Sequence, residues 1–442
     1  MKVQQTKRHF PENSILRPRK LLNETGEKES GAEGKGKSAA KGRLGSQAVL
    51  LLVVNGLFAV ANALSGTFVN IYLWKIKNDL ALIGWFALAN QAAMSITIWI
   101  AGKWVKEHNK MNSLRLGVFV SAAFYFSILL LGKRSVDFVL PLGAVQGMSA
   151  AFFWLAFNVV YFEITDRDNR DSFNGWSGLL ASAGMMVPWI AGLLISRMPD
   201  TQGYTVIFSI SLVIFLLGVV VSFFLKKRKA QENYEWFHAY RQLADKSSDW
   251  RRICSALAAQ GIREGVFGFV IGLLVYIATN NEMQLGNYAL ITSTVALISY
   301  WLIGKYLKPG HRSLGMLIGT VMLVLFILPF FWQVNYSTLL IFGIGTALVF
   351  PLYIIPMVSS VFDIIGKDRE SATLRVEYVV LRELALSSGR IFGTLMFIVV
   401  VSLSRSPLVL SSMLLFIGST PFVAWLLMRK LLNVVHQVDK SK

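Results

Sequence analysis

Hydrophobic residues in this chain form long, nearly uninterrupted runs separated by short polar segments. A helix that crosses the hydrocarbon core of a bilayer needs about 20 apolar residues, and runs of this length without alternation do not fit barrel strands. We therefore predict an all-α polytopic membrane protein. Its twelve transmembrane helices are expected near 48–73, 81–103, 113–131, 138–162, 174–196, 204–225, 253–278, 285–305, 314–332, 337–362, 374–402 and 407–428.

An eight-residue motif occurs in two similar copies, one in each half. Residues 99–106 read WIAGKWVK and residues 301–308 read WLIGKYLK, 202 residues further on, and each copy closes an apolar run. A second correspondence has a shift of 200 residues: Gly143 matches Gly343, and the ending FEI at 162–164 matches FDI at 362–364. The second half therefore repeats the first, and we expect two six-helix repeats.

Composition and charge placement agree with a membrane protein. Hydrophobic residues make up 54% of the chain and charged residues only 16%, whereas soluble domains carry about 25% charged residues. The net charge of +19 is concentrated in segments that fall on one side of the membrane if the helices alternate. The positive-inside rule places that side, with both termini, in the cytoplasm. These basic clusters indicate contact with anionic lipid, and we expect no nucleic-acid partner.

Residues suited to metal binding or covalent catalysis are sparse. Cys254 is the only cysteine, and the five histidines have no ligand spacing. No Walker-type glycine loop and no catalytic constellation occur in the sequence. We therefore expect neither a metal, nor a cofactor, nor enzymatic activity.

The hydrophilic segments define the expected domain boundaries. Residues 1–47 are predicted to be a disordered, basic cytoplasmic tail, followed by the first half at 48–225 and the second at 253–430, with a cytoplasmic tail at 431–442. In the linker at 226–252, Trp236, Tyr240 and Leu243 recur at helical spacing among charged residues. This spacing predicts an amphipathic helix, lying either on the membrane surface or free of it.

Twelve helices in two repeats, a long central linker and a glycine-plus-basic motif after the second helix of each half resemble the major facilitator superfamily. The motif residues here are Gly102, Lys106 and Lys110, with Gly304 and Lys308 in the second copy. Members of the family carry an aspartate where Lys106 stands, and it helps to latch the two halves on the cytoplasmic side. That latch is therefore in doubt for this chain, which is most similar to bacterial members without an assigned substrate.

The turns after the fourth and tenth helices offer a substitute latch. Residues 163–171, which include Arg170 and Asp171, and residues 363–370 both carry acids and bases three or four positions apart. The same residues could instead form a solvated turn that meets lipid phosphate.

The spacing of glycine and proline in the predicted fifth helix has two interpretations. Gly184, Pro188 and Gly192 lie four residues apart, and Gly389 and Gly393 occupy the shifted positions in the eleventh helix. Exporters of the family that exchange a drug for a proton carry a related motif in this helix, which favours export. Close helix packing explains the small residues equally well.

Charged residues within the predicted seventh and eleventh helices are the strongest functional signal. They are Arg263, Glu264, Arg382, Glu383 and Arg390. Ionisable groups at membrane depth are rarely tolerated against lipid, so we expect pairs such as Glu264 with Arg390 or Arg263 with Glu383. The cluster is either a static ion-pair network or a site where Glu264 or Glu383 takes up a proton during transport.

Neutral polar and aromatic residues occupy several other helices. In the family the first, second, fourth, seventh, eighth, tenth and eleventh helices contribute to a central cavity, so the resemblance makes such residues candidate substrate contacts. Packing by interhelical hydrogen bonds is the alternative for most of them. The candidates are Asn62, Gln91, Gln146, Trp154, Asn158 and Gln260.

These observations together predict a secondary active transporter that rocks two six-helix halves about a midplane site. We expect a monomer in the cell membrane that exports an amphipathic or lipid-like small molecule in exchange for protons. A transporter-derived sensor or adaptor without transport activity is the alternative, favoured by the missing acid at position 106.

Overall fold

The computed structural model describes most of the chain from Leu44 onward. The described residues are 44–164, 173, 176–177, 180, 184, 186–226, 233–245, 248–307, 309–365, 374–404 and 406–440. Nearly all of the predicted N-terminal tail lies outside them. So do Arg170, Asp171 and Lys308, together with most of the two turns proposed as a substitute latch.

Each half contributes six α-helices to the described residues, and the linker between the halves adds a short one. The first half contains α1 (Ser46–Lys77), α2 (Leu80–Glu107), α3 (Lys110–Leu131), α4 (Val139–Ile164), α5 (Val187–Ser196) and α6 (Gln202–Ser222). The second half contains α7 (Trp250–Thr279), α8 (Glu282–Tyr306), α9 (Arg312–Leu325), α10 (Tyr336–Ile365), α11 (Arg375–Leu403) and α12 (Pro407–Lys440). Short 3-10 segments join α3 to α4, precede α9 and follow it.

The lengths and apolarity of these helices suit a bilayer. Ten stretches of the described residues are long and apolar enough to cross a membrane, and one of them, Lys110–Tyr161, contains α3 and all but the last three residues of α4. The shorter α5 also is apolar. No strand occurs in the part of the chain that the structure describes, so the predicted all-α polytopic class is confirmed.

The turn between the first two helices of each half is built in the same way. Asn78 and Asn280 take left-handed backbone conformations, with φ of 50° and 49°. The next residues, Asp79 and Asn281, accept hydrogen bonds from the first backbone N–H groups of α2 and α8. Both pairs of residues are separated by 202 positions, the same shift as the two copies of the eight-residue motif. The repeat is therefore visible in backbone chemistry as well as in hydrophobicity.

Helix packing follows the same duplication. Within the first half α4 packs against α2 and α3, and α6 packs against α1 and α3. The second half pairs α10 with α8 and α9, and α12 with α7 and α9. The halves meet mainly where α2 packs against α11 and α5 packs against α8. Equivalent helices of the two repeats thus form the interface between them.

The linker between the halves contains one short helix, His238–Ala244. It lies at the end of the molecule where α2 ends and α11 begins, which we call the linker face; the other end is the opposite face. Trp236 precedes the helix and packs its ring 5.2 Å from that of Trp99, while Tyr240 is 72% exposed. The predicted three-residue helical stripe is therefore divided, because Trp236 packs against α2.

The last helix is longer than its apolar run predicts. The apolar run ends near 428, but α12 continues to Lys440. The segment predicted as a tail at 431–442 thus begins inside a helix.

Candidate transport site

Glu264 on α7 and Arg390 on α11 form the centre of the buried charge cluster. Arg390 donates from Nε and Nη2 to Glu264 Oε2 at 3.2 and 2.9 Å. Gln260, one turn earlier on α7, donates from Nε2 to Glu264 Oε1 at 2.5 Å. Both carboxylate oxygens therefore have donors, and one of the two predicted pairs is present.

Glycines bring the two helices close enough for this pair. A Cβ at Gly265 would lie 2.6 Å from the backbone of Arg390, and one at Gly389 would lie 1.9 Å from the carbonyl oxygen of Ala258. Only glycine fits at such backbone contacts. The small residues noted in the eleventh helix thus serve its packing against α7.

Glu383 extends the cluster toward the linker face. Its Oε1 accepts from Arg382 Nη1 at 2.5 Å, and its Oε2 lies 3.8 Å from Arg390 Nη1. These side chains keep between 17% and 28% of their surface exposed. Water can therefore reach the cluster.

Arg263 lies apart from these pairs, and the predicted contact with Glu383 is absent. Successive helical residues point about 100° apart, so Arg263 turns toward α10 while Glu264 turns toward α11. The Arg263 guanidinium lies over the rings of Phe267 and Phe350, 4.9 and 5.3 Å from their centroids. Its environment is aromatic instead of acidic.

Three cavities lie between the helices, and two of them are next to the charge cluster. The C-half cavity, of about 400 Å³, lies among α7, α8 and α10 and is lined by residues that include Arg263 and Glu264. The middle cavity, of about 170 Å³, is lined from both halves, by Asn90 and Gln146 as well as Glu264. The N-half cavity, of about 310 Å³, lies among α1 to α4. Glu264 lines two of the three.

Most of the neutral candidates line these cavities. Asn62, Gln146 and Trp154 line the N-half cavity and Gln91 lines the middle cavity. Asn158 is half-buried one turn beyond Trp154 and does not line these three cavities.

Three hydrogen bonds of the neutral polar residues join different helices. Asn90 Nδ2 donates to Gln146 Oε1 at 2.7 Å, and both residues line the middle and N-half cavities. Gln91 donates to the carbonyl oxygen of Gly265 at 3.2 Å and accepts from Thr394 Oγ1 at 3.0 Å. Gln91 therefore ties α2 to both α7 and α11 beside Glu264.

At the linker face, a buried ion pair connects the halves. Lys106 Nζ on α2 lies 2.5 Å from Glu377 Oε1 on α11, and the two side chains are 2% and 1% exposed. The lysine that stands at the position of the family's aspartate thus has an acidic partner on the other half. Sequence reasoning missed Glu377. Of the other motif residues, Lys110 is buried at the start of α3, and Gly304 is exposed.

The linker packs over this ion pair. The backbone N–H of Glu235 donates to Glu377 Oε1 at 3.1 Å, and that of Tyr234 donates to Glu107 Oε1 at 2.9 Å. A Cβ at Gly102 would lie 2.7 Å from Tyr234 Oη, so this motif glycine gives the tyrosine room. Burial raises the pKa of the Tyr234 hydroxyl, which therefore stays neutral.

At the opposite face, a second lysine–glutamate pair joins the halves. Lys75 Nζ at the end of α1 lies 2.9 Å from Glu282 Oε1 at the start of α8. Tyr204 donates its hydroxyl to the same oxygen at 2.9 Å. The pair therefore connects α1 of the first half with α8 of the second.

Comparison with known sequences identifies the family. Residues 51–394 match the model of the Major Facilitator Superfamily. YqgE, an uncharacterized protein of Bacillus subtilis (strain 168), is 40% identical over 358 residues, which are 81% of this chain and 83% of YqgE. An uncharacterized protein in the sodM 3' region of Geobacillus stearothermophilus is 44% identical over 161 residues, 36% of this chain and 75% of that protein.

Solved structures share the fold at low sequence identity. A bacterial homologue of the iron transporter ferroportin in an outward-facing state has a TM-score of 0.61 at 15% identity, covering 87% of this chain and 99% of the other. A mutant of the nucleoside transporter NupG has a TM-score of 0.63 at 15% identity, covering 87% and 100%. The family match, the YqgE relative and the twelve-helix repeat agree: this chain belongs to the Major Facilitator Superfamily and is a transporter of the secondary type.

Proposed function

We propose that the protein exports an amphipathic small molecule in exchange for protons, and that Glu264 carries the proton. Glu264 lines both the C-half cavity and the middle cavity. This shared position carries the proposal, because a coupling group has to respond to both the substrate and the ion. A charged group at such depth in a membrane protein is a functional site by default.

The partners of Glu264 provide a mechanism for coupling. When ionised, Glu264 accepts from Arg390 on α11 and from Gln260. A proton on Glu264 removes the charge that Arg390 compensates, and Glu383 Oε2 is an alternative partner 3.8 Å away. Protonation would therefore transfer Arg390 from one carboxylate to the other and loosen α7 against α11.

Two ion pairs can serve as the gates of the cycle. Alternating access requires that the path opens to one side at a time. The Lys75–Glu282 pair joins the halves at the opposite face, and the Lys106–Glu377 pair joins them at the linker face. A rocking motion that separates one pair and keeps the other would expose the cavities to a single side.

The cavity walls favour a substrate with an apolar body. Phe58 and Trp154 line the N-half cavity, while Phe267, Phe342 and Phe350 line the C-half cavity. Apolar and aromatic walls with a few polar groups are typical of sites for small organic molecules. We infer export from the glycine-proline spacing of α5, which resembles that of drug exporters. Gly192 also serves helix packing, because a Cβ there would lie 2.6 Å from the carbonyl oxygen of Glu282 in α8.

The sensor or adaptor alternative loses its main support. It depended on the missing acid at position 106, and Lys106 has an acidic partner in Glu377. A gate formed by Lys106 and Glu377 explains how transport can persist without an acid at position 106. The buried charges of α7 and α11 also favour a transporter.

A ligand screen on the purified protein tests the proposal. Compounds that raise the Tm are identified at a mildly acidic and a mildly alkaline pH, in the wild type, Glu264→Gln and Arg390→Ala. We expect stabilisation that depends on pH in the wild type, loses that dependence in Glu264→Gln, and vanishes in Arg390→Ala. Asp137→Asn removes an exposed carboxylate between α3 and α4 and should match the wild type. Full pH dependence in Glu264→Gln would refute the proton role.

A further inference from the structure

Arg263 is a buried cation that forms no ion pair with a carboxylate of the described residues. Its side chain lies on α7 and is only 6% exposed, and its Nε has no hydrogen-bond partner. The adjacent Glu264 is already bound to Arg390 and Gln260. A deeply buried charge without a counter-ion is costly and rarely tolerated unless it has a function.

The charge balance of the cluster identifies Arg263 as the surplus cation. Glu264 pairs with Arg390, and Glu383 pairs with Arg382. Two acids thus meet two bases, and the cluster keeps one positive charge when both carboxylates are ionised. That charge belongs to Arg263.

Two phenylalanine rings hold Arg263 without cancelling its charge. Phe267 lies one turn along α7, and Phe350 approaches from α10. A guanidinium stacked on aromatic faces is fixed in orientation, while its N–H donors stay available for a planar acceptor. This arrangement prepares the side chain to bind an anion.

A second polar group without a partner lies in the same cavity. Thr346 Oγ1 on α10 is buried and has no hydrogen-bond partner among the described residues, and Thr346 lines the C-half cavity together with Arg263. Tyr288, Thr292 and Ser293 add further hydroxyl groups to this wall. Guanidinium and hydroxyl donors together suit the oxygens of a carboxylate or a phosphate ester.

We propose that Arg263 binds the anionic group of the transported molecule, a carboxylate or a phosphate ester, while the apolar body of that molecule lies along Phe267, Phe342 and Phe350. This inference rests on the proposed transport function, because it names the substrate class of the same path. It assigns anion binding to Arg263 and leaves the proton to Glu264.

The first test needs no ligand. Arg263→Met keeps an unbranched side chain of similar length and removes the surplus charge, so the empty protein should have a higher Tm than the wild type. Arg382→Met is the matched control on α11, because it deprives Glu383 of its closer partner, and its Tm should fall. A Tm of Arg263→Met that falls as far as that of Arg382→Met would overturn the proposal, since it would show that Arg263 is a structural residue.

The second test measures the binding of three probes built on the same naphthalene ring. Naphthoate, naphthyl phosphate and naphthamide share an apolar body and differ in charge. We expect at least one of the two anions to bind the wild type and the neutral amide to bind weakly. Arg263→Met should lower the affinity for the anion at least about tenfold. Arg263→Lys should recover part of it, and the tighter anion distinguishes carboxylate from phosphate. Equal binding of all three probes, or unchanged anion affinity in Arg263→Met, would overturn the proposal.

The two proposals fail separately. Anion binding through Arg263 combined with full pH dependence in Glu264→Gln would remove the proton role of Glu264 and keep the anion site. Proton coupling through Glu264 without any preference for anions would do the reverse.

Discussion

Lys106 on α2 and Glu377 on α11 form an ion pair with 2.5 Å between Nζ and Oε1, and both side chains are almost completely buried. The pair joins the two halves of the transporter at the linker face. The resemblance to the family predicted an acid at position 106, and the lysine that stands there instead has an acid of the other half as its partner. The linker adds a backbone hydrogen bond from Glu235 to the same carboxylate oxygen.

Lys106→Ala should open the linker face. Removal of one partner of a buried ion pair typically costs roughly 3–5 kcal/mol, so we expect at least about a tenfold shift toward the open state. Cys254, the only cysteine, can be replaced by serine, and a reporter cysteine at Ala150 in the N-half cavity measures access of an impermeant thiol reagent. The reagent should react faster from the linker face in Lys106→Ala.

A control and a charge exchange accompany this measurement. Lys305→Ala removes an exposed lysine near the same face and should leave the labelling rate unchanged. The double variant Lys106→Glu with Glu377→Lys should restore the wild-type rate. Labelling that does not change in Lys106→Ala would show that the pair is not a gate.

Glu282→Gln should have the opposite effect. It removes the charge that holds Lys75 and weakens the contact with Tyr204 at the opposite face. The same Ala150→Cys reporter should then react faster from the opposite face and more slowly from the linker face. Faster labelling from both faces would indicate general loosening, which would contradict separate gates.

The Lys106–Glu377 pair illustrates what could be predicted from the sequence. The unusual lysine at 106 could be recognised from the sequence, because it ends the repeated eight-residue motif at the position where the family carries an aspartate. Its partner Glu377 lies 271 residues away in sequence, and only the packing of α2 against α11 brings the two together. Local patterns reveal helices and repeats, but they do not reveal which side chains meet across an interface.

Docking of the linker should weaken at acidic pH through His238. Burial lowers the pKa of this histidine below its ordinary value of 6.5 and outweighs the opposing effects of Glu377 and Glu235; Arg241 and Lys106 lower it further. The docked state therefore favours neutral histidine. Its stability is complete above about pH 6.5 and is lost as the pH falls from there through the lowered pKa. After correction for the intrinsic exchange rate of each amide, which itself falls with pH, hydrogen exchange of residues 233–245 should accelerate on acidification.

Two histidine variants separate this effect from general acid sensitivity. His238→Phe keeps a ring beside Tyr378, whose centroid lies 4.6 Å from that of His238, and should abolish the pH dependence of linker exchange. His311→Phe replaces an exposed histidine and should retain it. The same acceleration in His238→Phe would assign the effect to other groups.

Gly389→Ala should destabilise the contact between α7 and α11. Its Cβ would lie 1.9 Å from the carbonyl oxygen of Ala258, so the helices have to separate, which we expect to cost roughly 1–3 kcal/mol. Gly66→Ala is the matched control in α1, because a Cβ there would have no atom within 4 Å. A clear fall in Tm for Gly389→Ala, with no fall for Gly66→Ala, is the expected result. Equal Tm values would mean that the close approach is not required.

The candidate site was found in part from the sequence. The unusual depth of the charges located the cluster, and an opposite charge on a neighbouring helix made the Glu264–Arg390 pair a natural choice. The Arg263–Glu383 pair was wrong because adjacent residues of one helix face different neighbours, so Arg263 and Glu264 cannot both turn toward α11. That direction depends on the rotation of α7 in the bundle, which the charge pattern alone does not specify.

The most direct test of the account is the number of protons moved per substrate molecule in liposomes that contain the purified protein and an internal pH dye. With a substrate identified in the ligand screen, wild-type protein should move protons and substrate in opposite directions. Glu264→Gln should exchange labelled for unlabelled substrate without any proton flux. A wild-type ratio of protons to substrate in Glu264→Gln would contradict the central claim.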